Sequence, residues 1–165
     1  MALVGNPNVG KSSVLNLLTG SQIFASNYPG ISTEIEEAKL KIDNTEIVFF
    51  DTLGVYSIYS DREESNITRK LLETGNIDVI IDIVDASNLE RNLVLSYELL
   101  ELGYPLLIVL NQVDRAREMG INIDISELSR ILNSPVIAFS TTTNEGVEEF
   151  QKYLSDDGRK LTNIN

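Results

Sequence analysis

Apolar residues are grouped along the chain into short continuous runs, separated by stretches of helical periodicity. The strand-like runs are ALV near the start, then AKLKI, IVFFD, DVIIDIVD, PLLIVLN and PVIAFS. Nearly unbroken apolar runs are typical of parallel strands that are buried on both faces by the intervening helices. The pattern therefore predicts an α/β fold with a mostly parallel six-stranded sheet and helices on both faces.

One strand is expected to run against the others. AKLKI alternates apolar and polar residues, as a strand with one exposed face does. The following DNTE, Asp43 to Glu46, predicts a turn that joins this strand to IVFFD as a hairpin. We therefore expect one antiparallel edge strand in the sheet.

The longest helical pattern is NLERNLVLSYELLELG, in which apolar residues from Leu89 to Leu100 share one face and Gly103 ends the helix. Shorter helices are predicted at SVLNLLTG, DISELSRIL and GVEEFQKYL, and Glu63 and Glu64 are expected in the first turn of another, where the helix dipole favours acids. A chain of 165 residues is expected to form one domain. We assign that domain to residues 1–155 and expect the polar tail, residues 156–165, to be frayed.

The composition excludes several classes of site. The chain contains neither cysteine nor histidine, which excludes disulfides, Cys/His zinc sites and catalytic triads built on histidine. The net charge of −12 argues against binding of nucleic acid or of an anionic membrane through a positive surface. No apolar run reaches the ~20 residues of a transmembrane helix. The lack of cysteine favours an intracellular location.

A glycine-rich loop follows the first strand. The stretch GNPNVGKSS, Gly5 to Ser13, matches G-x-x-x-x-G-K-[ST] and opens a helix. Its backbone N–H groups are expected to surround phosphates, Lys11 to neutralise them and Ser12 to bind Mg²⁺. A solvated glycine-rich turn is the alternative. The residues expected to bind nucleotide here are Asn6, Asn8, Val9, Gly10, Lys11, Ser12 and Ser13.

Two further stretches carry groups suited to Mg²⁺ and to a terminal phosphate. In DTLG, Asp51 can reach Mg²⁺ through water and the N–H of Gly54 can contact a γ-phosphate. In PGISTE, which precedes the predicted edge strand, Ser32 and Thr33 are both candidate magnesium ligands. Taken alone, Asp51 could equally be an ordinary acid at a strand end.

Two stretches at later strand ends have the chemistry to read a base. In NQVD, Asn111 to Asp114, the carboxylate can accept hydrogen bonds from N1–H and the amino group of guanine, which adenine does not offer in that arrangement. In STT, Ser140, Thr141 and Thr142 can offer backbone N–H groups to the guanine carbonyl. The alternatives are a helix cap at Asp114 and a turn at Ser140 or Thr141.

In this order the stretches resemble the motifs of the P-loop GTPases, and more closely the N-terminal G domain of the FeoB family, the ferrous iron transport protein of prokaryotes. The resemblance covers roughly residues 1–155 and is carried by GNPNVGKSS, NYPG, DTLGVYSIYSDREE, VDASNLERNLVLSYELLELG, LNQVDRAREMGINIDISELSRIL and PVIAFSTTTNEGVEE.

The resemblance implies a Mg²⁺-dependent domain that binds and hydrolyses GTP, with Lys11, Asn8 and Gly54 in catalytic roles. It implies regulation of Fe(II) uptake through a membrane domain of the same full-length protein, at the cytoplasmic face of the cell membrane. As a fragment the chain is then expected to be soluble, without a nucleic-acid partner, and homo-oligomers remain open. The alternatives are a nucleotide-gated binding module with negligible hydrolysis, and an assembly or RNA-modification GTPase.

The chain departs from the family pattern at several positions. Thr52 and Leu53 stand where members often have Leu-Pro, and Gln112 stands where GTPases commonly have lysine. Thr141 replaces the usual alanine, and both of the last two changes imply looser base binding. Val55 occupies the position where many GTPases have a glutamine that orients water, which implies slow intrinsic hydrolysis. By ungapped register Ser32 would be the magnesium ligand, but Thr33 remains an alternative.

Asn8 carries the last expectation. It resembles the residue with which potassium-activated relatives bind that ion, and K⁺ would supply positive charge where other GTPases use an arginine. The alternative is that Asn8 only shapes the loop.

Overall fold

The computed structural model describes residues 1–20, 23–31, 33–42 and 44–155. Seven strands form one sheet in the order β2-β3-β4-β1-β5-β6-β7. All neighbours pair in parallel except β3, which is antiparallel to both β2 and β4. The strands are β1 Ala2–Gly5, β2 Ile23–Ser26, β3 Ile35–Ile42, β4 Thr45–Asp51, β5 Ile80–Asp85, β6 Leu106–Asn111 and β7 Val136–Ala138.

The α/β class and the mostly parallel sheet are confirmed, but the sheet has one strand more than predicted. The additional strand is β2, which pairs with β3 and takes the edge position, so β3 lies one place inside the edge. No residue of β2 is fully buried, so its sequence IFAS carries no alternation that would reveal it. Asp43 of the predicted turn lies outside the described residues, while Ile42 and Thr45 form the last pair of the hairpin.

Helices cover both faces of the sheet, as the apolar strands require. One apolar layer contains α1 and α6 against residues such as Ile81 and Ile83, and the other contains α2, α3 and α5 against Ile80 and Val84. Alternate residues of β5 therefore face opposite layers. The helices are α1 Lys11–Thr19, α2 Glu63–Thr74, α3 Leu89–Glu101, α4 Val113–Glu118, α5 Ile125–Leu132 and α6 Val147–Leu154, and Ala86–Asn88 form a 3₁₀ turn before α3.

Two consequences bear on function. The parallel strands β1, β4 and β6 end at Gly5, Asp51 and Asn111, so the predicted motifs share one edge of the sheet, where ligands of open α/β sheets bind. None of the described helices is long and apolar enough to span a membrane. The predicted frayed tail, residues 156–165, lies outside the described part of the chain.

Candidate nucleotide-binding site

The glycine-rich loop between β1 and α1 has a backbone that only its sequence accommodates. Asn8 and Gly10 both have positive φ, 65° and 92°, and asparagine and glycine tolerate that region best. A Cβ at Gly10 would also lie 2.5 Å from Nδ2 of Asn111. The loop therefore requires glycine at position 10 for two separate reasons.

Asn111 holds this loop from behind. Its Nδ2 donates a hydrogen bond to the carbonyl of Val9 at 2.9 Å, and both residues are buried. A residue that we expected to contact nucleotide is thus, in this geometry, a support for the phosphate loop. Sequence reasoning missed that role because the two residues are 102 positions apart.

Lys11, Ser12 and Asp51 converge at the start of α1. The Ser12 hydroxyl donates to Oδ2 of Asp51 at 2.6 Å, and Nζ of Lys11 lies 4.0 Å from Oδ1 of the same carboxylate. Burial lowers the pKa of Lys11, and the neighbouring Asp51 charge opposes this shift. The ammonium thus lies at the N-terminus of a helix, where the first N–H groups lack intrahelical acceptors and attract anions.

The donor set at this point fits Mg²⁺. Oδ1 of Asp51 is buried and has no hydrogen-bond partner in the described chain, although a buried carboxylate oxygen normally has one. A carboxylate next to a hydroxyl offers the oxygen ligands that Mg²⁺ prefers. Ser12 and Asp51 are therefore suited to hold the ion, directly or through water.

Gly54 passes directly against the phosphate loop. A Cβ at this position would lie 2.8 Å from Cα of Pro7, so only glycine allows the approach. The next residue, Val55, donates its N–H to the Gly5 carbonyl at 3.0 Å. Within the described chain the Gly54 N–H makes no hydrogen bond, which leaves it available to a phosphate oxygen.

The Val55 side chain is 3% exposed and packs in the apolar layer beneath the sheet edge with Ile58. This side chain therefore belongs to the core and has no hydrogen-bonding group to offer a ligand. A cleft borders Pro7, Gly54 and Val55 on the side of α2, and its far wall includes Arg62 and Glu64.

The segment 54–62, which joins β4 to α2, is tied to α3. Glu98 accepts hydrogen bonds from the Ser57 hydroxyl at 2.7 Å and from the Ile58 N–H at 2.8 Å. The Arg91 guanidinium lies 4.5 Å from the ring centroid of Tyr56, a cation–π contact. These bonds fix the segment that follows Gly54.

The loop that precedes β3 is anchored by Tyr28. Its hydroxyl donates to a carboxylate oxygen of Glu37, and its ring packs edge-on against Phe50 at 5.4 Å between centroids. Burial, and secondarily the Glu37 bond, raise the pKa of Tyr28. Ser32 lies outside the described residues. Thr33 is half-buried in this loop and its hydroxyl makes no hydrogen bond within the described chain, so the choice between them stays a prediction.

The residues predicted to read the base lie at or after the ends of β6 and β7. Gln112 has positive φ, 63°, and directs the chain into α4, whose first turn contains the half-buried Asp114. Ser140 is buried and its N–H donates to the Glu145 carbonyl at 3.1 Å. That N–H is not available to a guanine carbonyl, contrary to our expectation that it could be offered. The N–H groups of Thr141 and Thr142, which have no partner in the described chain, remain.

Comparison with known proteins gives the family. A family model described as "Ferrous iron transport protein B" matches residues 1–154. The chain belongs to the FeoB family. The Fe(2+) transporter FeoB of Campylobacter jejuni is 43% identical over 148 residues, which is 90% of this chain and 24% of that protein. For the Escherichia coli K12 transporter the identity is 37% over 152 residues, or 20% of its length. The chain thus spans about a quarter or less of these FeoB relatives.

Solved FeoB structures share the fold. The FeoB G-domain from Methanococcus jannaschii superposes with a TM-score of 0.82 at 35% identity, covering 96% of each chain. The cytosolic domain of the T. maritima FeoB transporter, in a GDP form, gives 0.89 at 33% identity and covers 99% of this chain and 63% of that one. The resemblance drawn from the motifs is confirmed, and the chain is a FeoB G domain of the P-loop GTPase type.

The described residues contain no cluster of three or more carboxylates or other strong ligands placed to hold a metal ion. The acidic run Glu34 to Glu37 lies at the start of β3, along which alternate residues point to opposite faces.

Proposed function

We propose that this FeoB domain binds GTP with Mg²⁺, hydrolyses it, and uses the nucleotide state to regulate Fe(II) uptake through a membrane domain of the full-length protein. The observation that carries the proposal is the convergence of Lys11, Ser12 and Asp51 at the N-terminus of α1. Residues 1–155 would constitute the G domain.

The phosphates would bind at the loop 5–13. Backbone N–H groups of Asn6 and of residues 8–13, together with the ammonium of Lys11, would face their oxygens. Bound at Ser12 and Asp51, Mg²⁺ would neutralise charge on the phosphate oxygens. Lys11 is well suited to its role because partial burial weakens competition from water.

The base would lie between the ends of β6 and β7. Asp114 accepts hydrogen bonds from N1–H and the amino group of guanine, and the N–H of Thr141 or Thr142 donates to its carbonyl. Adenine would leave these groups unpaired, at a cost of about 1–3 kcal/mol each. Gln112 can lay its methylene groups against the base face.

Iron enters the proposal through the relatives, which are named Fe(2+) transporters. Because this chain spans about a quarter of their length, transport is proposed for the remainder of the full-length protein. Fe(II) is then the substrate of that remainder, and the domain described here contributes the nucleotide switch.

Hydrolysis must proceed without a side chain at position 55 that could orient the attacking water. Because Val55 is buried, a nucleotide-gated binding module that hydrolyses GTP very slowly is the second candidate. Asn8 favours the enzyme: its amide is exposed in the phosphate loop and could hold K⁺, which would supply charge beside the phosphates as an arginine does in other GTPases, where it contributes about 10³–10⁵ in rate.

Binding is tested by titrating the domain with fluorescent GTP and ATP analogues in the presence of Mg²⁺. We expect GTP to bind at least about tenfold more tightly than ATP, from the unpaired groups that adenine leaves. Lys11→Ala should abolish tight binding and leave the circular dichroism spectrum and melting temperature close to those of the parent, because Lys11 is the first residue of α1 and takes no part in the apolar core. Equal affinity of parent and variant would refute the phosphate site.

Hydrolysis is tested by single-turnover kinetics in potassium and in sodium at equal ionic strength. We expect faster hydrolysis in potassium, and Asn8→Ala should remove the difference while GTP still binds. Equal rates in both salts would refute the potassium site. Negligible hydrolysis in both would favour the binding module.

A further inference from the structure

A bidentate ion pair joins α4 to the loop 140–146, which we call the base loop. Nη1 of Arg117 donates to Oε2 of Glu145 at 2.6 Å, and Nη2 donates to Oε1 at 2.7 Å. The planar guanidinium matches both carboxylate oxygens, a geometry that fixes direction as well as distance. The partners are 28 residues apart, so the contact links two elements of the fold.

The base loop is closed at both ends. At its start, the Ser140 N–H donates to the Glu145 carbonyl at 3.1 Å, and the Ser140 Oγ accepts from the Thr143 N–H at 3.2 Å. At its end, a Cβ on Gly146 would lie 2.1 Å from the Ala138 carbonyl, so the chain is pressed against β7. Glu145 is therefore the residue through which the closed loop is attached to α4.

Asp114 lies close to this pair. It is one turn before Arg117 on α4, and its charge acts on both partners. The pKa of Glu145 is lowered, first by its bond to Arg117, while Asp114 opposes that shift. The pKa of Arg117 is raised, mainly by Glu145 and to a lesser extent by Asp114. Arg117 thus interacts with the charge of the carboxylate proposed to read the base and is bound to the loop proposed to donate to its carbonyl.

We propose that Arg117 and Glu145 are positioning residues that hold the base loop at a fixed distance from Asp114 and so lengthen the time for which guanine nucleotides stay bound. The proposal rests on the proposed GTP-binding function. Thr141, the second residue of the base loop, can donate to the guanine carbonyl only while Asp114 holds the adjacent N1–H and amino group. Without the ion pair, the loop would sample positions in which only one of the two contacts forms.

The size of the effect follows from the exposure of the pair. The side chains are 57% and 36% exposed, and exposed ion pairs contribute modestly. We expect loss of the pair to accelerate dissociation of GDP about two- to fivefold. The melting temperature should hardly change, because the described core contains neither residue.

The experiment measures dissociation of ribose-labelled fluorescent GDP by stopped flow from the parent, Arg117→Gln, Glu145→Gln and the double variant. Each single variant should release GDP about two- to fivefold faster, and the double variant no faster than a single one, because both changes break the same contact. The matched control is Arg130→Gln, which breaks an equally bidentate exposed pair with Glu127 inside α5. It should release GDP at the parent rate.

A second ligand separates positioning from a general loosening of the fold. A 2-aminopurine nucleotide keeps the amino group that Asp114 reads, and it lacks both N1–H and the carbonyl. This nucleotide should dissociate from the parent and from Arg117→Gln at equal rates, since it has no carbonyl to which the base loop could donate. Release of GDP at the parent rate from Arg117→Gln, additive effects in the double variant, or equal acceleration for the 2-aminopurine nucleotide would each overturn the proposal. GDP binding by the parent, recorded in the same experiment, tests the proposed function itself.

Discussion

Asp82 is a carboxylic acid in the middle of the buried strand β5. It is 1% exposed and its Oδ2 accepts a hydrogen bond from the Ser96 hydroxyl of α3 at 2.5 Å. Its neighbours on the same face of β5 are Ile80 and Val84. Burial raises the pKa of Asp82 to about 7, although the Ser96 bond opposes the shift. The folded domain therefore changes protonation inside its core near neutral pH.

This shift predicts a pH-dependent stability. The folded state holds the proton more tightly than the unfolded state, so the free energy of unfolding falls as the pH rises from the ordinary pKa of 3.8 towards 7. Asp82→Asn removes the group that titrates. Relative to the variant, the free energy of unfolding of the parent should fall by about 2 kcal/mol between about pH 5.5 and about pH 8.

The measurement is urea unfolding of both proteins across that pH range. It stays above the isoelectric point of about 4.3, where low net charge would promote association. A difference between the two proteins that does not change with pH would show that Asp82 remains ionised in the core.

At the scale of single residues, the sequence predicts which chemical groups are present, but it does not predict which way each side chain points. The types of Lys11, Ser12, Asp51 and Asp114 at strand ends were sufficient to predict a nucleotide site, because few functions need that set in that order. Asn111 donates to the carbonyl of Val9. This contact depends on how the end of β6 is placed relative to the glycine-rich loop. Sequence spacing does not contain that information.

Glu98 of α3 is one of the side chains that hold the segment 54–62 in place. Glu98 accepts two hydrogen bonds from it, and a carboxylate acceptor makes both charge-assisted. Tyr59 adds a local bond by donating its N–H to the Ser57 hydroxyl at 3.1 Å. Removal of Glu98 would leave the Ile58 N–H without its acceptor.

We expect Glu98→Ala to raise the hydrogen-exchange rate of the Ile58 amide at least about tenfold, since bonds to charged groups contribute about 1.5–3 kcal/mol. Two-dimensional NMR of the labelled domain measures this amide directly. Glu101→Ala, an exposed change on the same helix, is the control and should leave the amide protected. Unchanged protection in Glu98→Ala would show that other contacts hold the segment.

Elements were predicted in proportion to their length and burial. The long α3 and the fully buried β5 and β6 have patterns that only one element type explains. Two short elements were missed. The strand β2 buries neither face fully, and α4 has six residues, of which only Val113 and Ala116 are buried. The conformation of such elements depends on contacts with neighbouring elements. For β2, the contact is its pairing with β3.

At the scale of the whole molecule, topology assembles the site. The strands that end in Gly5, Asp51 and Asn111 are parallel, and β1 lies between β4 and β5 in the sheet. This order brings distant stretches to one edge without any long loop. The class of fold was predictable because alternating strands and helices have few arrangements that bury both faces of a sheet. The strand count was not, since an edge strand adds little to the core.

The contact between Gly10 and Asn111 links the phosphate loop to the stretch that begins the base-reading motif. A side chain at position 10 would collide with the Asn111 amide, and a smaller residue at position 111 would release the Val9 carbonyl. Neither position is therefore free to vary. In a library that randomises both, variants that still bind nucleotide should keep glycine at position 10 whatever residue stands at position 111, because the positive φ at position 10 disfavours other residues even where the Asn111 amide is absent.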